Sequence, residues 1–179
     1  MHLEKHINKA IISSSSTLNA MPTFTFRSPT LSDGPDMYDL VKSSGNLDLN
    51  SRYCYLLLGT HFSETCLVGF DGSEMIGVIC AYRPPEKQNC LFIWQITTAE
   101  EYRTKGIADS MLDHLVKKLQ PTINCIEATV CLQNDASLAF FESFASKKNT
   151  AFKKDLIFPT RLFKEDAHED EYLINIGPI

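Results

Sequence analysis

The sequence predicts an α/β fold: one mixed, mostly antiparallel central sheet with helices on both faces. Three observations carry this reading. Short runs rich in β-branched and aromatic residues recur along the chain and alternate with stretches of helical periodicity. Two of these runs are joined by Asp71-Gly72-Ser73-Glu74, a strong hairpin signal, so part of the sheet is antiparallel. Two others, residues 91–98 and 124–131, are separated by an amphipathic helix, which makes the sheet mixed.

The elements follow in order. Residues 24–27 make a short alternating strand. Ser32 or Asp33 caps a helix carrying Met37, Leu40 and Val41, and Gly45 ends it. Asn50 or Ser51 caps a second, short helix through Tyr53, Leu56 and Leu57. Residues 65–70 and 75–83 are the hairpin strands; Pro84 and Pro85 stop the second, and residues 86–89 form a polar loop. After the strand at 91–98 and a glycine turn, Ile107, Met111, Leu112, Leu115, Val116 and Leu119 recur at helical spacing, so one face of that helix packs on the sheet. Asn134 caps another helix behind the strand at 124–131. Residues 151–157 and 172–176 supply two last strands, separated by a charged loop over 164–171. Residues 1–22 hold a serine run and too little apolar surface to order themselves, so they read as a disordered tail, and 23–179 as a single domain.

Composition excludes several function classes. A net charge of −5 argues against nucleic acid, which selects a basic surface. No apolar run approaches the length of a membrane span, and the start lacks the apolar centre of a signal peptide. The six cysteines (Cys54, Cys66, Cys80, Cys90, Cys125, Cys131) show no C-x-x-C spacing and lie mostly in apolar runs. We expect them to be buried free thiols in a reducing cytoplasm. The five histidines form no zinc-spaced pair, so no metal is expected.

The most informative stretch is Arg103-Thr104-Lys105-Gly106-Ile107-Ala108, between a strand and a helix. Such a turn leaves backbone N–H groups unpaired in front of the positive end of the helix dipole. Gly106 and the small Ala108 let a bulky anion approach that backbone, and a diphosphate fits such a cradle. Ordinary strand-to-helix turns share the pattern, so on its own it does not decide.

Arg103, Gly106 and Ala108 form an Arg-x-x-Gly-x-Ala pattern that resembles the acetyl-CoA loop of the GNAT superfamily of N-acetyltransferases. Asn134, Ser137, Phe141 and Glu142 resemble that superfamily's following Asn-x-x-Ala-x-x-x-Tyr-Glu motif. The resemblance implies the GNAT fold, with splayed fourth and fifth strands (91–98 and 124–131) and the pantetheine arm between them. It implies acetyl-CoA as co-substrate, held by Ile96, Thr98, Arg103, Thr104, Lys105, Gly106, Ile107, Ala108, Asn134 and Phe141. Ile96 N–H is the candidate oxyanion donor, because the splay exposes strand N–H groups to the thioester carbonyl. Two residues depart from the motif. Ser137 replaces a small apolar residue, and Phe141 replaces the tyrosine that often protonates the leaving thiolate, a proton that water can also supply.

Residues 47–57, 61–66, 82–85, 91–95 and 143–145 narrow the acceptor, for together they resemble the L-2,4-diaminobutyrate acetyltransferases of ectoine biosynthesis. This likeness extends from about Phe26 to Ile176. It implies acetylation of the γ-amine of L-2,4-diaminobutyrate, giving a product that the next enzyme of the pathway cyclises. It also implies a cytoplasmic homodimer that needs no metal. Asp48, Tyr53, Trp94 and Glu171 then map onto substrate-pocket positions, Glu171 through the segment His168-Glu169-Asp170-Glu171, in a register that could slip to Glu169. The residue types suit a substrate with two ammonium groups and a carboxylate: two carboxylates for charge, an indole face for cation–π contact and a phenol hydroxyl. A carboxylate, directly or through water, could take the proton that the attacking amine must lose.

On the residues alone, Trp94 reads as core, Asp48 as a helix cap, Tyr53 as packing and Glu171 as part of a solvated loop. Two other functions share the cofactor loop: acetylation of another small amine, and an acetyl-CoA sensor without turnover, which Phe141 favours.

Overall fold

The computed structural model describes residues 24–45, 47–164 and 168–179. The tail expected over residues 1–22 lies outside the described residues. The strands are β1 (Thr25–Arg27), β2 (Leu67–Asp71), β3 (Glu74–Tyr82), β4 (Cys90–Thr98), β5 (Cys125–Cys131), β6 (Ala151–Phe158) and β7 (Glu171–Gly177). The helices are α1 (Gly34–Ser44), α2 (Arg52–Leu58), α3 (Ile107–Leu119) and α4 (Asp135–Lys147). The strands form one sheet in the order β1-β2-β3-β4-β5-β7-β6, antiparallel except where β4 meets β5.

Local chemistry sets the ends of these elements. Asp33 precedes α1, as expected, but its carboxylate reaches backward: it accepts from Thr30 N–H at 2.6 Å and from both terminal nitrogens of Arg27 at 2.7 and 2.8 Å. The Arg27 guanidinium and the Thr30 donors hold the Asp33 carboxyl down to about 2, and the cluster ties β1 to the start of α1. Ser51 caps α2 by accepting from Cys54 N–H at 3.3 Å, and Asn134 caps α4 by accepting from Ser137 N–H at 3.1 Å.

Two apolar cores lie on opposite faces of the sheet. On one face, Met111, Leu115 and Phe144 of α3 and α4 pack on Leu91, Ile93, Ile126 and Ile174. On the other, Met37, Val41 and Tyr55 of α1 and α2 pack on Cys66, Val68, Val78 and Cys80. That second face is helix-covered only over β2, β3 and part of β4. The remainder, over β5, β7 and β6, is where a cavity forms.

The register makes the site. β3 and β4 pair antiparallel, Cys80 opposite Gln95 and Ala81 opposite Ile93, which leaves Trp94 as a bulged residue. β4 and β5 pair parallel only from Cys90–Cys125 to Ile93–Ala128, and then part, as the splay expectation requires.

Two expectations need correction. Cys90 and Cys125 are not free thiols: each opens its strand, the parallel register sets them opposite one another with Cα atoms 4.6 Å apart, and they form a disulfide. Cys54, Cys66, Cys80 and Cys131 are free. The charged loop ends one residue earlier than expected, so Glu171 is the first residue of β7, paired with Cys131 and with Phe158.

Gly59, at the end of α2, fixes how closely this helix approaches the turn before α1. A Cβ there would stand 2.5 Å from the Thr30 carbonyl oxygen, a backbone atom that cannot swing away. Gly59→Ala should therefore destabilise the fold by about 1–3 kcal/mol. Thermal unfolding would report the loss, whereas the Michaelis constants of the folded fraction should stay unchanged.

Candidate active site

Where β4 and β5 part, the backbone of β4 loses one set of partners. Ala99 N–H donates to the Ile76 carbonyl at 2.9 Å, which fixes the antiparallel alternation along β4. Thr97 and Ala99 therefore point their N–H groups at β3, and Ile96 and Thr98 point theirs into the gap. The expected oxyanion donor faces open space beside β5.

A cavity of about 450 Å³ lies over this gap. Asp48, Trp94, Thr129, Phe163, His168 and Glu171 are among its lining residues. The bulge turns Trp94 outward, leaving it 44% exposed at the rim instead of in the core. Glu171 is brought in by the register of β7, and its side chain is only 16% exposed. Its Oε2 has no hydrogen-bond partner. A buried, half-satisfied carboxylate is costly unless a cation arrives. Asp48 faces it across the cavity from the loop between α1 and α2, its carboxylate 94% exposed.

His168 stands between the two acids. Its Nε2 is 3.8 Å from Asp48 Oδ2 and 3.7 Å from Glu171 Oε1, and its ring stacks on Phe163 with centroids 3.9 Å apart. Its Nδ1 lies 2.9 Å from the Glu169 carbonyl oxygen. A carbonyl only accepts, so Nδ1 carries the hydrogen, and in the neutral ring Nε2 presents its lone pair to the cavity. The bond to Glu169 raises the His168 pKa, the charges of Glu171 and Asp48 add to this, and burial opposes it. Burial raises the Glu171 pKa, with Asp48 adding, while Thr129 and His168 pull the other way.

The loop before α3 leaves an open backbone at the start of a helix. Gly106, at φ 74°, is the N-cap of α3, and Thr104 is also left-handed at φ 60°. The first intrahelical bond runs from Ser110 N–H to the Gly106 carbonyl, so the N–H groups before it have no helical partner. A Cβ at 106 would meet no protein atom within 4 Å, so packing does not demand glycine there. The positive φ and an open cradle do. Arg103 donates to the Ser44 carbonyl at 3.1 Å and pins the loop to the end of α1, while Lys105 lies over the Tyr102 ring at 4.9 Å. Ile107 is buried in the core, and Ala108 follows it in the first turn of α3, so both offer the cradle backbone atoms.

The structure brings Asp48, Trp94 and Glu171 to one cavity, and not Tyr53. Tyr53 lies on the outer side of α2, 68% exposed and outside the lining. Glu169 lies on the exposed rim, and Glu171 is the inward acid. Asn134 lines the cavity while its Oδ1 caps α4. Phe141 is buried in the α4 core, edge-on to Phe140, and offers no polar atom. Sequence reasoning did not single out His168, Thr129, Phe163 or Gln95. Only Gln95 carried a signal, as an amide inside an apolar strand. Among the described residues no His, Cys, Asp or Glu cluster could hold a metal, and no helix is long and apolar enough to cross a membrane.

Over residues 35–145 the chain matches the acetyltransferase (GNAT) family. It is 38% identical over 163 residues to the L-2,4-diaminobutyric acid acetyltransferase of Marinococcus halophilus, covering 90% of this chain and 94% of that protein. To the protein of the same name from Vibrio cholerae serotype O1 it is 35% identical, covering 88% and 91%. Among solved structures, diaminobutyrate acetyltransferase EctA from Paenibacillus lautus, in complex with its substrate L-2,4-diaminobutyric acid and coenzyme A, aligns with a TM-score of 0.83. That alignment has 35% identity and covers 88% of this chain and 96% of that one. Ard1 from Thermoplasma volcanium aligns with a TM-score of 0.72 at 15% identity, covering 87% and 98%, a likeness of fold alone.

Gly106 offers a test of the cradle that separates binding from folding. Asparagine tolerates the left-handed conformation, so Gly106→Asn should keep its thermal midpoint within a few degrees. Its side chain would nonetheless fill the approach to the unpaired N–H groups. Calorimetric titration with coenzyme A should show affinity reduced about tenfold or more, roughly 1.4 kcal/mol.

Proposed function

The chain belongs to the GNAT acetyltransferases and, within them, to the L-2,4-diaminobutyric acid acetyltransferases; on that premise we propose that it transfers acetyl from acetyl-CoA to the γ-amine of L-2,4-diaminobutyrate. The observation that carries this reading is the cavity in which Asp48, Glu171, His168 and Trp94 meet over the β4–β5 gap, into which Ile96, two residues beyond Trp94, points its N–H.

The chemistry follows from that placement. Asp48 and Glu171 hold ammonium charge, and the face of Trp94 adds a cation–π contact. The α-amine sits beside the substrate's own carboxylate, so gripping that end leaves the γ-amine free to reach the gap. His168 Nε2 takes the proton from the γ-ammonium, and the two flanking acids stabilise the imidazolium that results. The freed nitrogen attacks the thioester carbon. Ile96 N–H donates to the oxyanion, and collapse breaks the C–S bond. With Phe141 in the tyrosine position, solvent completes the exchange: water takes the second proton that the amide nitrogen must lose, and the departing thiolate takes its proton from water. Arg103, Thr104, Lys105, Gly106, Ile107 and Ala108 hold the diphosphate in this proposal, while Thr98 and Asn134 flank the pantetheine arm.

A homodimer belongs to the same proposal. It is supported by the outer strand β6, exposed over most of its length, and by the bare side chains Leu156, Ile157, Phe158 and Leu162. A cytoplasmic setting enters the proposal from the family likeness alone, since the cysteines divide between four free thiols and one disulfide. The Nγ-acetyl product would then pass to ring closure in ectoine synthesis.

Product regiochemistry by NMR tests the assignment. The expected product is Nγ-acetyl-diaminobutyrate; mostly α-acetyl product, or tight acetyl-CoA binding without turnover, would overturn it. Glu171 adds a discriminating variant. Its raised pKa means that the fold favours the protonated acid, so its stabilising share is full below the ordinary glutamate range and is lost as pH rises through the folded value. At neutral pH, Glu171→Gln should therefore melt no lower than the natural protein, yet lose about one to two orders of magnitude in kcat/KM for diaminobutyrate.

A further inference from the structure

Asp48 has an almost fully exposed side chain, and it lies in a loop. What fixes that loop is buried beneath it. Gln95, 4% exposed, donates from Nε2 to the Asp48 backbone carbonyl at 2.6 Å. Its Oε1 accepts from the hydroxyl of the fully buried Tyr55 at 3.0 Å. Tyr55 is held in turn by Tyr38, edge-on with ring centroids 5.8 Å apart. Arg52 caps the Tyr38 ring at 3.9 Å and pairs with Asp39 at 3.1 Å.

We infer that Gln95 and Tyr55 are positioning residues for the acceptor site, a relay that locks the Asp48 loop onto β4. The inference rests on the reading of this cavity as the amine site. Its geometric content is specific. Gln95 lies between Trp94, the bulged rim residue, and Ile96, the candidate oxyanion donor. One side chain thus ties the loop that carries a substrate-facing acid to the strand segment that carries the acetyl-facing N–H. The relay sets the distance between the two reactants.

An amide suits this task, because its oxygen accepts from the phenol while its NH₂ donates to the carbonyl, and no charge is buried. An apolar side chain of similar length leaves both the Asp48 carbonyl and the Tyr55 hydroxyl without that partner. The core of α2 and β3 stays filled, and only the loop is released.

A double-mutant cycle of Gln95→Met with Asp48→Ala tests the relay against a merely structural role. Gln95→Met should raise the KM for diaminobutyrate about tenfold, the scale of one lost positioning hydrogen bond, and leave that for acetyl-CoA within about twofold. In the Asp48→Ala background the same change should add almost nothing to the KM for diaminobutyrate, while its effect on the thermal midpoint persists. Full additivity, or equal rises in both Michaelis constants, would overturn the relay. Amide hydrogen exchange over residues 47–51, measured without substrate, should quicken in Gln95→Met whichever amine the protein acetylates; unchanged exchange there overturns the relay and leaves the assigned reaction standing. Should Gln95→Met fail to fold, Tyr55→Phe serves, with the same pattern expected at smaller size.

Discussion

The structure depends on how far β4 pairs with β5. Buried backbone N–H and C=O groups need partners, and a sheet normally supplies them along its whole length. Here the supply stops after Ile93 and Ala128. β5 turns to β7 for its other edge, β4 keeps β3, and the N–H groups of Ile96 and Thr98 are left facing a gap. Nothing local to those residues stabilises that state. The core that α3 and α4 form on one face holds both strands in place, with Leu91 and Ile93 of β4 and Ile126, Ala128 and Val130 of β5 packed in it, while α1 and α2 cover the other face only as far as β4. The bulge at Trp94 contributes in the same direction, since it bends β4 at the point where pairing ends. Binding surface is made by withholding a ladder that the rest of the fold can do without.

Two carboxylates show how environment divides structure from function. Asp33 is surrounded by donors, and the Arg27 fork and the Thr30 hydroxyl and N–H depress its pKa to about 2. Its stabilising share is present above the ordinary aspartate range and fades as pH falls toward 2, and the partial exposure of Arg27 keeps that share modest. Glu171 is also largely covered but has one oxygen with no partner, and burial drives its pKa the other way. A fold selected for stability alone would have completed its shell or replaced it with an apolar residue. Locally unfavourable placement is the signature of a group kept for an incoming cation.

The sheet, its strand order along the chain and the helix caps were legible because each rests on short-range rules: periodicity, a glycine turn, a polar cap. Gly106 was legible for the same reason, since a positive φ is a one-residue requirement. Asp48, Trp94 and Glu171 stood out only through likeness to a family, because each has an ordinary structural role in its own segment. His168 was not legible at all. Its position depends on where β7 begins and on a stack with Phe163, neither of which has a local pattern. The Cys90–Cys125 bond likewise follows from a parallel register that no spacing encodes. Tyr53 shows the opposite case. α2 turns Tyr55 into the core, and a residue two positions away on a helix lies on the far side, so Tyr53 faces solvent and is not among the cavity's lining residues. The apolar spacing of Tyr53, Leu56 and Leu57 suggested the opposite phase, and only the burial of Tyr55 and Leu58 corrects it.

The distribution of titratable groups matches the difficulty of the two proton transfers in the proposed reaction. An alkylamine of lysine type has an ordinary pKa near 10.4, so at pH 7 freeing its lone pair costs roughly 4–5 kcal/mol at about 1.36 kcal/mol per unit. A thiol has an ordinary pKa near 8.5, so its thiolate leaves with a cost of only about 2 kcal/mol at the same pH. The amine side therefore needs an organised base and the thiolate side does not. The proposed roles follow this asymmetry: His168, held in one tautomer by Glu169 and flanked by Asp48 and Glu171, is the base assigned to the amine. At the position where a tyrosine could return a proton to sulfur, Phe141 is built into the core of α4 and contributes packing instead. Losing the phenol costs the cheaper of the two steps and gains apolar burial in the helix that carries Asn134, so the departure from the superfamily motif is compatible with turnover.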